Sequence, residues 1–169
     1  MLQRTWLLGL VIAAAPLGCN KSSGICMTPG CEASVPVAVV DDGGPGGRLR
    51  PGAYTFRVVT DYAEKSWSCA LPADDCALDF FTDFADGEDD GTLSVLARAG
   101  ETGLELEVLE TRGNIWSGPA KFVVAVERDG VTVVEETFEP RYEEPLVPDA
   151  CAVCLKRKGA DLVVHVPAE

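Results

Sequence analysis

The chain has 169 residues, 47 % of them hydrophobic, and carries 14 Lys+Arg against 27 Asp+Glu for a formal net charge of −13. That is one domain's worth of sequence, enough to enclose a real core. So acidic a surface repels phosphate backbones and anionic lipid head groups, which argues against nucleic acid as a partner and against electrostatic attachment to a membrane.

Residues 1–18 read as an export signal: a start carrying one positive charge (Arg4), an apolar run Trp6–Ala15, then Pro16-Leu17-Gly18 ahead of Cys19. The apolar run is far short of the ~18 residues a spanning helix needs. A cysteine directly after a small residue resembles the lipobox of bacterial lipoproteins. The resemblance implies cleavage before Cys19, lipid on Cys19 and attachment to a membrane through that lipid. Asn20 stands where the inner-membrane retention signal has Asp, so the resemblance implies the outer membrane of the cell envelope. A cut after Ala15 would instead release a freely secreted protein beginning at Pro16, and an uncleaved signal would leave an anchor. Residues 19–34, small, polar and punctuated by Gly and Pro, follow as lipidated Cys and tether, and residues 35–169 as a single domain.

Setting Cys19 aside leaves Cys26, Cys31, Cys69, Cys76, Cys151 and Cys154. An even count in an exported chain reads as three disulfides. The cysteines fall into three close pairs, so local pairing is the simplest arrangement, and stapling of the N-terminal segment to the 151–154 loop is the alternative.

From Val35 onward the sequence is β-like. Strands are expected at 35–40, 53–60, 66–71, 76–82, 92–99, 104–110, 121–128, 131–138 and 161–166. Leu104, Leu106 and Val108 alternate with Glu105 and Glu107, so that strand has one buried and one wet face. Asp129-Gly130 suits the positive φ angles of a type I′ hairpin turn. Asp41–Gly47 (DDGGPGG) is a turn-rich break that lacks the Lys-Ser/Thr ending of a phosphate loop. Eight or nine short strands without a long helical period predict an all-β fold, an antiparallel two-sheet sandwich stabilised by disulfides. In general form this resembles immunoglobulin-like or transthyretin-like modules, and with the lipobox it resembles small bacterial lipoproteins.

Candidate chemistry is thin. Asp86, Glu88 and Asp90, followed by Gly91, match the first positions of a calcium loop, but position 12 is Ala97 where a bidentate Glu belongs. The run reads as a solvated loop, with a weak Ca²⁺ site as the alternative; no other cofactor is expected. Cys151-Ala-Val-Cys154 has redox-pair spacing with Lys156, Arg157 and Lys158 nearby, yet two prolines precede it and a strand follows. It reads as a structural clip. His165, the one histidine, alternates with Val164 and Val166 and so belongs on the wet face of its strand. No nucleophile elbow accompanies it. Trp67 and Cys69 share a sheet face, which places the indole against a disulfide. Trp116, in the turn-rich stretch Arg112–Pro119, is either an exposed interaction hot spot or a plug for the end of the sandwich, and Tyr142 is open to the same two readings.

The expected function is therefore non-enzymatic: an envelope lipoprotein whose domain is a binding or structural module for a protein or glycan. A thiol-disulfide redox protein using Cys151 and Cys154 is the first alternative, and a calcium-stabilised adhesion module the second.

Overall fold

Period-two alternation decides which faces of this chain meet. The computed structural model describes residues 34–73, 75–78, 92–112, 115–143, 153–155 and 157–168. In chain order the strands are β1 (Val35–Asp41), β2 (Gly52–Val59), β3 (Glu64–Leu71), β4 (Thr92–Gly100), β5 (Gly103–Arg112) and β6 (Ile115–Ser117). They continue with β7 (Phe122–Arg128), β8 (Val131–Phe138), the two-residue β9 (Arg141–Tyr142), β10 (Val153–Cys154) and β11 (Arg157–Lys158), and finally β12 (Leu162–Val166). Among the described residues, nine strands are longer than two residues, and no α-helix occurs.

Two sheets hold almost everything. One runs β3-β2-β7-β8 and is antiparallel throughout. In the other, β5 pairs along one edge with β4; along its other edge Leu104–Val108 pairs with β1 and Glu110–Arg112 with β6. Their inner faces supply the core. Val35, Val37 and Val39 come from β1, Tyr54, Phe56 and Val58 from β2, Leu104, Leu106 and Val108 from β5, and Phe122, Val124 and Val126 from β7. Every second residue of each strand points inward, so the apolar faces bury against each other and the intervening residues stay wet. Burial of a side chain such as Phe56 contributes about 1.5–3 kcal/mol.

The expected all-β, two-sheet and predominantly antiparallel sandwich is present, and two of its strand pairings are parallel. β1 pairs with β12 in parallel, Val37 opposite Leu162 and Asp41 opposite Val166, and β6 pairs with β10 in parallel. Parallel neighbours need a long crossover. For β1 and β12 the crossover is most of the domain, a relation that no local pattern displays.

One side of the sandwich is laced by the Cys69–Cys76 disulfide, with Cα atoms 5.1 Å apart. Cys69 lies in β3, the edge of one sheet, and two residues beyond Cys76 the backbone of Leu78 exchanges hydrogen bonds of 2.9 and 3.0 Å with Ala97 of β4, on the edge of the other. The local pairing expected for these two cysteines is the one present. Trp67 stacks on Phe56 with ring centroids 5.1 Å apart, and its Nε1 donates to the Cys76 carbonyl, so indole and disulfide do share a face. Of the strand expected over 76–82, residues 76–78 are described: Cys76 has φ +59°, a left-handed turn conformation, and Leu78 bridges to Ala97. Residues 79–82 lie outside the described set.

The β7–β8 turn matches its sequence. Asp129 and Gly130 have φ of +52° and +80°, as a type I′ turn requires. Asp129 also anchors the turn sideways: its N–H donates to the Ala53 carbonyl, and its Oδ1 accepts from the Ala53 N–H.

Candidate functional site

Two carboxylates occupy inward positions, one at each end of the sandwich. On β1 the inward series Val35, Val37, Val39 continues to Asp41; on β5 the series Leu104, Leu106, Val108 continues to Glu110. Because β1 and β5 run antiparallel with Val35 opposite Val108, the two acids lie at opposite ends.

The Asp41 end is closed. Asp41 is 0 % exposed, and its Oδ2 accepts from Arg50 Nε at 2.8 Å and from the Arg50 N–H at 3.1 Å, while Oδ1 accepts from the Gly43 N–H. Burial works to raise the pKa of this carboxyl, but the hydrogen bonds and charge supplied by Arg50 and the Gly43 bond outweigh it and hold the pKa below the ordinary value. Arg50 also donates to the Pro167 carbonyl, and Tyr54 donates its hydroxyl to the Arg50 carbonyl. Gly44 is required here, since a β-carbon would stand 1.7 Å from the Arg48 carbonyl oxygen. Thus the DDGGPGG segment is a tightly bonded cap over a buried acid. Beside it His165, its side chain 61 % exposed, pairs through Nδ1 with Asp42 at 2.9 Å. That is the wet strand face expected for it, and a surface clasp.

The Glu110 end is open. A cleft of 570 Å³ is walled by Val59 of β2, Phe122 and Val123 of β7, Ser117 at the end of β6, Gly118 just after it, and Tyr142 of β9. Glu110, only 5 % exposed, also lines it, and Asp61 and Lys121 stand at the rim. The size is that of a small-ligand or side-chain pocket. Tyr142 donates its hydroxyl to the Pro119 carbonyl at 2.9 Å. Burial, and then the negative charge of Glu110, push its ionisation well above the ordinary tyrosine value against the opposing charge of Arg157, so the phenol is neutral at any ordinary pH. Gly118 makes this packing fit: a β-carbon there would approach Val35 Cγ2 to 2.0 Å and the Tyr142 hydroxyl to 2.5 Å.

Lys121 on the rim and Arg157 nearby both pair with acids. Lys121 Nζ is 3.3 Å from Glu139, and the Arg157 guanidinium bonds the Ala160 carbonyl and Asp161. Chemically the cleft is lined by apolar side chains, an aromatic residue and acidic residues.

The sequence-predicted residues are distributed unevenly over this geometry. Tyr142 belongs to the cleft. Trp116 does not sit in a loop, as its turn-rich neighbourhood suggested: its backbone lies in β6 opposite Thr111, next to the cleft residue Ser117, because β6 closes as a third partner against the end of β5. Its side chain lies outside the described set. The same holds for the side chain of Cys154, whose backbone is in β10, and for Cys19, Cys26, Cys31, Asp86, Glu88, Asp90 and Cys151 altogether. Among the described residues no group of three or more His, Cys, Asp or Glu is placed to hold a metal ion. Glu110 was missed by sequence reasoning. The signal was present: it continues the inward alternation of Leu104, Leu106 and Val108, and a carboxylate on the apolar face of a strand is a residue out of place.

Comparison with known proteins returned no matching family model, no matching curated protein and no matching solved structure.

Proposed function

We propose that this chain is a non-enzymatic, lipid-anchored module of the cell envelope that binds a partner through the open end of its sandwich. The observation carrying the reading is the asymmetry of the ends: one buried acid is sealed by Arg50, the other looks into a 570 Å³ cleft beside an aromatic ring. Sandwich domains commonly bind at one end, where loops and strand termini converge, although fold alone assigns no partner. The lipobox-like Leu17-Gly18-Cys19 supplies the anchor. The even count of the other six cysteines agrees with an oxidising compartment.

Two measurements on the natively exported protein test this. Intact mass should show acyl lipid on Cys19; an unlipidated product would remove the anchor. A photo-crosslinking amino acid placed at Lys121, on the cleft rim, should capture a defined partner in cells, while the same probe at Thr132, on the exposed side of β8, should not. Equal labelling from both sites, or none from either, would remove the binding reading.

A further inference from the structure

We propose that the outward face of the β9–β11 ribbon contacts the phosphate groups of anionic phospholipids and so turns the open end of the sandwich toward the bilayer; the inference rests on the lipid-anchor reading above. The ribbon pairs Arg141 with Lys158 and Tyr142 with Arg157. Residues directly opposite in an antiparallel pair share a face. One face is spent on the fold: the Tyr142 hydroxyl bonds the Pro119 carbonyl, and Arg157, its side chain 10 % exposed, bonds Ala160 and Asp161. The other face presents Arg141 and Lys158, both exposed.

That arrangement runs against the rest of the molecule. Like charges directly opposite destabilise a strand pair, and acids outnumber bases 27 to 14 in this chain. Arg50, Arg57, Arg98, Lys121, Arg128 and Arg157 each pair with an acid. Among the described residues the side chains of Arg141 and Lys158 pair with none, the exposed Glu143 next along the chain included. Two facing cations that the protein leaves without an anion suit one supplied from outside. A phosphate has oxygens enough to meet both, the guanidinium through its fork and the ammonium as a point charge.

Position selects the source of the phosphate. A β-carbon on Gly118 would meet both Val35 and the Tyr142 hydroxyl, so the ribbon stands beside the start of β1, where the chain arrives from Cys19. The net charge of −13 keeps the remainder of the domain off an anionic surface. Each basic residue near such a surface is worth about fivefold in affinity. Two of them cannot attach a protein this acidic, but on a domain already tethered they choose which end faces the lipid.

The test places natively exported, acylated, isotope-labelled protein in nanodiscs carrying a lipid with a paramagnetic head group and follows line broadening by NMR. In discs containing phosphatidylglycerol, the amides of Lys158 and Gly159 should broaden at least about threefold more than those of Gly43 and Gly46 at the sealed end. The ratio should fall by about half or more in phosphatidylcholine discs, at high salt, and in the double variant Arg141→Gln/Lys158→Gln, whereas Arg141→Lys should retain it. Both charges are exposed and unpaired, so the double variant should keep wild-type stability. A ratio indifferent to lipid charge and to the double variant would overturn the proposal, as would stronger broadening at the sealed end. So would Lys158 shifts that saturate with inorganic phosphate while ignoring lipid composition, which would assign the ribbon to a soluble phosphate ligand. An acylated protein lacking the dependence loses only the ribbon assignment; an unacylated product removes the anchor reading and this proposal together.

Discussion

The two ends of this sandwich start from the same local sequence event and finish differently. In each, an inward-facing apolar series ends in an acid, Asp41 after Val39 and Glu110 after Val108. At the first, the following glycine-rich turn brings Arg50 and the Gly43 amide onto the carboxylate and encloses it. At the second, the chain turns into β6 and the acid lines a cavity. The position of a charged residue in a strand therefore does not define its role. What decides is the path of the next segment, which closes over Asp41 and runs past Glu110 along the cleft. The closed end also holds the Tyr54 hydroxyl bond, the Asp129 anchor, the Cys69–Cys76 disulfide and a cavity of 350 Å³ lined by Leu49, Leu71 and Leu104, whereas the open end holds the 570 Å³ cleft.

Matched isosteric changes at the two acids give the sharpest test. Asp41→Asn places an amide against donors and removes the charge facing Arg50, which should cost about 2–4 kcal/mol in denaturant unfolding. Glu110→Gln, at a residue that lines the cleft, should cost less than Asp41→Asn; equal losses would abolish the contrast between the ends. Replacing Cys69 and Cys76 by alanine should lower stability by about 2–3 kcal/mol, from the short loop the bond closes, while leaving partner capture from the Lys121 position in place. Tyr142→Phe should cost about 1 kcal/mol through loss of the bond to Pro119.

The pH dependence differs between the ends as well. The pKa of Asp41 is depressed in the folded protein, so its contribution is present above the ordinary aspartate value, near pH 3.9, and disappears as pH falls through the lower folded value. The stability difference between wild type and Asp41→Asn should shrink below that pH, and a constant difference would contradict the assignment. The pKa of Tyr142 is raised, so its contribution is complete below about pH 10 and falls above it, where the unfolded phenol ionises and the folded one does not. Tyr142→Phe should flatten part of the alkaline loss of stability. The remainder belongs in part to Tyr54, whose ionisation is also raised, chiefly by burial.

Much of the architecture was legible because it is written with period two. Val35/Val37/Val39, Leu104/Leu106/Val108 and Val164/Val166 announce their faces, Asp129-Gly130 its turn, and Trp67 with Cys69 their shared side. What escaped is non-local. Nothing near Val37 or Leu162 tells that these strands pair in parallel across the whole domain. Nothing in Gly-Asn-Ile-Trp-Ser-Gly-Pro tells that three of its residues add to the end of β5. The site was half legible. Tyr142 stood out as an aromatic in a proline-flanked stretch, whereas Glu110 was lost among the many acids of the chain, although its register singles it out.

Gly118 sits against Val35, the first residue of β1, so the polypeptide enters the sandwich beside the cleft and not at the sealed end. That fixes a leash. A lipid on Cys19 would hold the mouth of the cleft within roughly 55 Å of the bilayer, the full stretch of the intervening chain. The sealed end would extend beyond it by the length of β5, about 33 Å. Such a molecule would sample a shell close to its own membrane, and a partner embedded in that membrane or lying on it would be met at far higher effective concentration than one in free solution.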